Sequence, residues 1–391
     1  MRISNVEDKR AINMEKEIIR WKVRTGTVST GLCLTLSLAS LILLLSPPPP
    51  KQIKKENIRN VVGRQLNKDP NALNDDDYKK IETLELSADT NDINLLTKFT
   101  NLHTLSLSPV QLKNLKPLSD LKNLKKLTLS VDTRLNITGA IRDGILNQDY
   151  RKQVLDISPI SNLINLQELT LSNIQVNDIN ALSNLINLES LTLHRLNTQI
   201  GIAIDLKPLT KLTNLQKLNI SFTSLIDINS LAAFTNLQTL DLSFIRFGGK
   251  MNSISGLTNL KSLSISNTPV SDVNILSNLI NLESLYIFGA GTGRLNDIKP
   301  LSQLTKLTSL TLGNLNVSDI GALSNLTNLQ TLNIRGTKVN DLNPLANLKK
   351  LQSLDVSSTS VSDEQIAELS KALPNIKITK RLPSLQDGVR R

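Results

Sequence analysis

Few residues of this 391-residue chain have the type and spacing that catalysis or metal binding requires. The two histidines, His103 and His194, each stand alone, without a second histidine, a cysteine or an acidic residue at the spacing of a metal site. The single cysteine, Cys33, lies in an uncharged apolar stretch, so the chain has no disulfide framework and no candidate cysteine nucleophile outside that stretch. We expect structural positions for all three side chains, and no bound metal.

A glycine-rich stretch, GAGTG at residues 289–293, raises the possibility of a phosphate-binding loop. It follows a short predicted strand, but no helix begins after it and no Lys or Arg stands where it would hold a phosphate, so a flexible loop is the favoured interpretation. Motifs of serine hydrolases, nucleotide-binding proteins and zinc proteases do not occur in the sequence. We therefore predict that the protein is not an enzyme and uses no cofactor.

A column of aspartates recurs at one offset, at Asp178, Asp227, Asp272, Asp319 and Asp341. Repeated carboxylates could bind a metal. Each of these aspartates, however, follows a short strand and precedes a turn, where an aspartate caps the exposed backbone N–H groups. The sequence favours capping, because one role is repeated along the whole array.

Large side chains that could anchor a partner stand out against small outward residues such as Ser262 and Ser264. The candidates for partner binding are His194, Arg195, Phe222, Phe244, Phe247, Tyr286 and Phe288. Aromatic and arginine side chains are the usual anchors of protein interfaces. Tyr286 and Phe288 lie on the alternating outward face and are the stronger candidates. For Phe222 and Phe244, local packing under edge loops is an equally good interpretation.

The elements that must position these residues are repeats of about 22 residues, most regular at residues 307–350. Each unit begins with apolar residues at period 2, which predicts a short strand, and continues through V-x-D-I to a bend or helical turn. Coils begin at Ile81, Leu102, Leu124, Leu166, Leu188, Leu215, Leu237, Leu260, Leu282, Leu307, Leu329 and Leu351, and a last strand begins at Ile376. A fixed period of this length indicates a stacked solenoid.

The form T-x-V-x-D with a following aliphatic residue, at residues 268–273 and 337–342, resembles the leucine-rich repeat family and its short, internalin-type bacterial subclass. The resemblance covers about 300 residues and implies an α/β solenoid, a leucine-rich repeat horseshoe. Such a horseshoe has a parallel β-sheet on the concave face, short turns or 3-10 helices on the convex face, and helical caps. We expect a monomeric module that binds a protein, or another macromolecular surface, through the concave face and adjacent edge loops, and no small-molecule substrate.

The segment before the repeats suggests a membrane anchor. Residues 27–45 carry no charge and are long enough, at about 1.5 Å per residue, to cross a bilayer as a signal-anchor helix. They follow a basic tail at residues 1–26 and precede a proline-rich spacer at 46–51 and a helical N-cap at 52–80. We expect the repeat domain on the exported side. The alternatives are secretion after cleavage near Ala39, a cytosol-facing scaffold, and a purely structural or adhesion protein.

The charge distribution argues against nucleic acid as a partner. The net charge is +11, yet residues 81–370 contain 24 Lys and Arg and 24 Asp and Glu, so the array is neutral. A basic stripe would be needed for phosphate binding, and the array has none.

The repeat period is interrupted by insertions. They fall around residues 132–154, 197–204 and 289–295, and should protrude together at one edge. The repeat domain, residues 81–380, should end in a helical cap at 363–373, followed by a basic disordered tail at 381–391.

Overall fold

The structure is a computed structural model, and it describes residues 57–86, 93–108, 114–131, 154–198, 203–247, 251–268, 270, 272–289 and 295–381. All of these lie in the unit Ile53–Arg391. The basic tail, the apolar stretch at 27–45 and the spacer at 46–51 lie outside the described residues, as do the insertion at 132–153 and the last ten residues. Within the described ranges, no helix has the length and apolar character needed to span a bilayer.

Counted over the described residues, thirteen parallel strands form one sheet, with the strand of each coil hydrogen bonded to that of the next. The strands of this sheet are β1 Thr83–Leu86, β2 Thr104–Leu107, β3 Lys126–Ser130, β5 Glu168–Ser172, β7 Ser190–Thr192, β9 Lys217–Asn219, β10 Thr239–Asp241, β11 Ser262–Ser264, β12 Ser284–Phe288, β13 Ser309–Gly313, β14 Thr331–Asn333, β15 Ser353–Asp355 and β16 Lys377–Thr379. The register aligns equivalent repeat positions, as in Leu240, Leu263 and Leu285.

The core runs through the middle of the coils. In β11 the leucine Leu263 is 1% exposed, whereas Ser262 and Ser264 on either side point outward and are half-buried. Successive side chains of a strand point to opposite faces, so every coil sends its leucines inward against those of its neighbours. No coil buries its leucines alone, and the predicted stacking is confirmed.

Short 3-10 helices form most of the opposite side of the coils. They span Asn94–Lys98, Lys116–Asp120, Ser158–Asn162, Asn180–Asn184, Lys207–Lys211, Asn229–Ala233, Asn252–Ile254, Asn274–Leu276, Lys299–Gln303, Gly321–Leu323 and Asn343–Leu345. The predicted aspartate caps are confirmed: Oδ1 of Asp178 accepts a hydrogen bond from the backbone N–H of Asn180 at 2.8 Å. The same bond recurs at Asp227, Asp272, Asp319 and Asp341. The carboxylate column is therefore occupied by structural hydrogen bonds.

A second parallel sheet, not predicted from the sequence, lies where the chain leaves the main sheet. It consists of β4 Val154–Leu155, β6 Gln175–Val176 and β8 Asn197–Thr198. Isolated bridges join Ile204 to Leu225 and Ser224 to Arg246, so the same contact line continues beyond β8. Two-residue strands carry too little periodicity to be recognised in a sequence.

Helices close both ends of the array, as predicted. At the N-terminal end, α1 Ile58–Leu66 and α2 Asp75–Lys79 flank a 3-10 turn, Pro70–Ala72. Asn74 and Asp77 form a reciprocal capping box that begins α2. At the other end, α3 Asp363–Ala372 precedes the edge strand β16, and the side chain of Gln365 accepts a hydrogen bond from the N–H of Leu342 at 2.7 Å. Both caps cover leucines that a terminal coil would otherwise expose.

Candidate functional site

The eighth residue of most coils has a left-handed backbone, because the chain turns sharply where the concave strand ends. In the described part of the chain, eight coils have a positive φ at this position, and five of them place there a residue that tolerates it. These are Asn173, Asn267, Asn314, Gly336 and Ser358, with φ between 51° and 68°. Three successive coils instead carry Arg195, Phe222 and Phe244, with φ of 48°, 58° and 58°. A bulky residue with positive φ is an outlier, and such outliers are concentrated at functional sites.

Arg195, Phe222 and Phe244 stack on one another, and we call these three residues the aromatic column. The rings of Phe222 and Phe244 lie 4.2 Å apart between centroids with their planes inclined by 10°. The guanidinium carbon of Arg195 lies 4.6 Å from the centroid of Phe222, in the range of a cation–π interaction. Phe222 is 37% exposed and Phe244 43% exposed, so both side chains are accessible to solvent.

The spacing of the column is set by the backbone. The N–H of Arg195 donates to the carbonyl of Ser221 at 3.0 Å, and the N–H of Phe222 donates to Ser243 at 2.9 Å. The N–H of Phe244 donates to Ser266 at 2.8 Å. Adjacent coils are therefore held about 4.8 Å apart, which is close to the separation of stacked rings. Identical backbone turns in consecutive coils bring the side chains into register.

His194 lies beside the column. Its ring meets Phe222 edge to face, with centroids 5.3 Å apart. The Oγ of Ser221 donates to Oδ1 of Asn219 at 2.6 Å and therefore accepts from Nδ1 of His194 at 2.8 Å, which places the proton of the neutral ring on Nδ1. Burial, with the nearby charge of Arg195, lowers the pKa of His194 below its ordinary value. The imidazole is consequently neutral near pH 7.

A second aromatic pair lies two coils further along the concave face. Tyr286 is 44% exposed on β12, in register with Ser264 and Thr311 of the neighbouring strands. The ring of Phe288 is half-buried and lies 6.4 Å from that of Tyr286, with the planes inclined by 13°. It rests on Gly313 of the next coil, where a Cβ atom would lie 2.4 Å from Cδ2 of Phe288. Gly313 thus makes room for this ring.

The structure divides the sequence-predicted residues into three groups. His194, Arg195, Phe222 and Phe244 contact one another, and Tyr286 with Phe288 forms a separate pair. Phe247 is partly buried against the leucine core and does not extend the column. Strand β11 lies between the group around Phe222 and the pair Tyr286 and Phe288, and it presents the small residues Ser262 and Ser264. A partner reaching from one group to the other would cross this low strand.

Solved structures provide the comparison with known proteins. An internalin from Listeria monocytogenes, inlF, is similar over 84% of this chain and 90% of its own, with a TM-score of 0.66 and 25% sequence identity. The chain has the leucine-rich repeat fold. Internalin C2 of the same species matches 51% of this chain and 83% of its own at 27% identity and a TM-score of 0.44. A leucine-rich repeat protein of Leptospira interrogans matches 83% and 100% of the two chains at 18% identity, with a TM-score of 0.43.

No protein-family model and no curated protein matches the chain. The described residues nevertheless show the stacking that the 22-residue period predicts, and the parallel sheet, 3-10 turns and end helices that the resemblance implies. A metal site is a separate question. In the part of the chain that the structure describes, no group of three or more His, Cys, Asp or Glu side chains is placed to hold a metal ion.

The opposite edge of the leucine-rich repeat sheet carries a ladder of asparagines that sequence reasoning missed. The asparagine before the first leucine of a coil donates from Nδ2 to a carbonyl about one period earlier, at 2.8–3.0 Å in each case. This carbonyl belongs to the previous coil, except that Asn101 donates to Lys79 of the N-terminal cap. The asparagines are Asn101, Asn123, Asn165, Asn187, Asn214, Asn236, Asn259, Asn281 and Asn328. The recurring dipeptide Asn-Leu is the signal that would have revealed it.

A cleft of about 730 Å³ runs along this ladder. Besides the asparagines it is lined by polar side chains that begin the strands, among them Gln167, Glu189, Gln216 and Gln238. The amide donors of the ladder already bind backbone carbonyls, and Gln238 donates to Gln216 at 3.4 Å. The cleft is also lined by His103, Lys125 and Lys261, but it contains no phenylalanine, tyrosine or tryptophan. We therefore place the candidate site at the other edge, on the aromatic column.

Proposed function

We propose that this leucine-rich repeat array is a non-catalytic protein-binding module whose binding surface is centred on the aromatic column. The observation that carries the proposal is the left-handed backbone of Arg195, Phe222 and Phe244. These bulky residues lie in three consecutive coils, at the position where other coils have Asn, Gly or Ser. Backbone strain of this kind persists where it serves a function or where its surroundings enforce it. Nearby coils adopt the same turn with asparagine, so the surroundings do not require phenylalanine.

The column has the physical properties of an interface anchor. Its rings are exposed, flat and held in place by stacking and by backbone hydrogen bonds, so little side-chain entropy remains to be lost on binding. Aromatic and arginine side chains dominate the energetics of protein interfaces. The surrounding concave surface consists mainly of small hydroxyl and amide side chains, which are well solvated and contribute less. A partner would therefore gain most of its binding energy at the column.

We propose that Tyr286 and Phe288 extend this surface. Their strand, β12, lies three positions from β9 in the sheet order, which corresponds to roughly 14 Å at the usual strand spacing. A partner segment of a few residues can span that distance. The serines of β11 would lie beneath it, since their side chains rise least above the sheet. Phe247 and His194 would contribute through packing and orientation more than through direct contact.

A paired-variant capture experiment tests the proposal. The double variant Phe222→Asn/Phe244→Asn replaces both rings by the residue that Asn267 and Asn314 provide at the same position, so it should fold. The matched control Ile164→Thr removes an exposed apolar side chain and substitutes the residue found at the equivalent position as Thr213, Thr235 and Thr258. Captured proteins are crosslinked to the full chain and quantified by mass spectrometry.

The amount of at least one captured protein should fall tenfold or more with the double variant and stay unchanged with the control. A loss of about 2 kcal/mol or more is typical of removing interface hot spots. A set of captured proteins that is the same for the parent chain, the double variant and the control would contradict the proposal.

We also propose that residues 27–45 anchor the array in a membrane and that the array lies on the exported side. The support is the uncharged 19-residue stretch followed by four prolines in the sequence. Protease added to intact cells should digest the repeat domain. Protection from external protease until the cells are lysed would favour the cytosol-facing arrangement instead.

A further inference from the structure

The guanidinium of Arg195 lies over an aromatic ring at the surface of the array. The group lies on the face of Phe222, 4.6 Å from the centroid, and the residue as a whole is exposed. A guanidinium that stacks through its face retains its N–H donors in the plane of the group, where they can bind both oxygens of a carboxylate. Among the described residues, no Asp or Glu side chain lies within salt-bridge distance of it.

The surroundings of the column favour an anionic group. Arg246, two residues beyond Phe244, is exposed at the same edge, and its backbone is bridged to Ser224 of the preceding coil. His194 is neutral because its pKa is lowered. The carboxylate of Asp241 on β10 raises the pKa of His194 slightly, and its Oδ1 accepts a hydrogen bond from the N–H of Ser243 at 2.9 Å. Within the described part of the chain it forms no ion pair with Arg195 or Arg246. The column thus combines an apolar edge of two rings with unneutralised positive charge.

We propose that the aromatic column recognises a segment of the partner protein in which a carboxylate side chain stands beside an aromatic or large aliphatic side chain. The apolar side chain packs on the exposed edges of Phe222 and Phe244, and the carboxylate accepts hydrogen bonds from Arg195. This inference rests on the proposed function and specifies the chemistry of the partner. Its physical basis is charge complementarity at a rigid site, since the stack with Phe222 fixes the guanidinium before binding.

A peptide selection tests the inference. A phage-displayed library of random peptides is selected on the immobilised full chain and counter-selected on the Phe222→Asn/Phe244→Asn variant. The peptides that survive should carry Asp or Glu next to an aromatic or large aliphatic residue. One enriched peptide is then synthesised with its acid and with the corresponding amide, and the affinity of both is measured by calorimetry. The acid form should bind about tenfold or more tightly, the usual effect of a hydrogen bond to a charged group.

The variant Arg195→Gln decides whether the acid meets this arginine. In a double-mutant cycle the acid and amide peptides should bind Arg195→Gln with equal affinity, because the partner of the acid has been removed. Arg246→Gln is the matched control, since it makes the same change of charge at the same edge without touching the stack, and it should preserve most of the difference between the two peptides. Circular dichroism and thermal unfolding confirm that both variants are folded.

The outcomes separate the two proposals. Two results would overturn this inference and leave the protein-binding function intact. In the first, the peptides depend on Phe222 and Phe244 but do not prefer an acid. In the second, the preference for the acid peptide persists in the Arg195→Gln variant. If every peptide enriched on the parent chain also bound the Phe222→Asn/Phe244→Asn variant, so that none survived counter-selection, the column would not be the binding surface and both proposals would be overturned.

Discussion

The ring of Phe244 lies parallel to the ring of Phe222, 4.2 Å from it, although both residues occupy a left-handed backbone position that other coils assign mostly to asparagine or glycine. A bulky residue in that conformation costs about 1–2 kcal/mol relative to glycine or asparagine. One aromatic pair contributes about 0.5–1.5 kcal/mol beyond its buried area. The stack therefore does not fully offset the strain of two phenylalanines. This excess of strain is the reason why we propose a role in binding for the column.

Replacing Phe222 by asparagine should leave stability nearly unchanged. The substitution loses the stack with Phe244 but relieves the backbone, so the free energy of unfolding should change by less than about 1 kcal/mol. Phe222→Val is the informative comparison. A β-branched residue is strongly disfavoured at positive φ, so this variant should lose about 1–3 kcal/mol. Chemical denaturation measures both values, and a Val variant as stable as the Asn variant would disprove the strain argument.

Adding a methyl group at Gly313 should displace the ring of Phe288. The Cβ atom of Gly313→Ala would lie 2.4 Å from Cδ2 of that ring, so either the ring rotates away or the strand shifts. We expect a loss of about 1–3 kcal/mol and a changed chemical environment for Tyr286, which neighbours Phe288. Tyrosine fluorescence and thermal unfolding report these effects. The double variant Phe288→Ser/Gly313→Ala should recover most of the stability lost at Gly313.

Acid should destabilise the array through His194. Its pKa in the folded protein is lowered, chiefly by burial and then by Arg195, whereas the unfolded chain has the ordinary value of about 6.5. The unfolded state therefore binds more protons between that value and the lower folded pKa, so the free energy of unfolding falls as the pH drops through this window. Unfolding curves measured across this pH window should show a smaller decline in the free energy of unfolding for His194→Gln than for the parent chain. Parallel declines in the two proteins would rule out this contribution.

The stability of the array should depend on the hydrogen-bond donors of the asparagine ladder, and a charged acceptor in their place should be worse than an alanine. Nδ2 of Asn236 donates to the carbonyl of Thr213 at 2.9 Å. Asn236→Ala removes the donor and should cost about 0.5–1.5 kcal/mol. Asn236→Asp places an acceptor against the carbonyl and should cost more than the alanine variant near neutral pH, despite its similar shape. Hydrogen exchange should locate the loss of stability in the coils that contain these residues. An aspartate variant as stable as the alanine variant would argue against the hydrogen bond between Asn236 and Thr213.

Much of the fold could be read from local pattern. Alternating leucines such as those of β11 and the aspartate caps are specified within a few residues of chain, because strand alternation and capping depend on near neighbours. The insertions at 132–154, 197–204 and 289–295 were also visible as breaks in the period, and the expectation that they protrude together remains a prediction. Stacking follows once each coil exposes leucines that only another coil can cover.

The candidate site was predictable only in part. The sequence singled out the aromatic and arginine residues, since they interrupt a run of small polar side chains. It did not distinguish binding from local packing for Phe222 and Phe244, because exposure depends on how neighbouring coils and edge loops are arranged. It also grouped Phe247 with the others, whereas the structure places Phe247 against the core. The Asn-Leu dipeptide was overlooked because its partner lies about one period earlier.

The sequence by itself determined the repeat, its strands and turns, and the two caps, because these arise from interactions between residues close in the chain. Only the tertiary structure decided that Arg195, Phe222 and Phe244 share a strained turn and form one stack. These residues lie 22 to 27 positions apart in the chain, and their contact depends on the register and the spacing of successive coils. A single repeat contains no information about what lies above or below it.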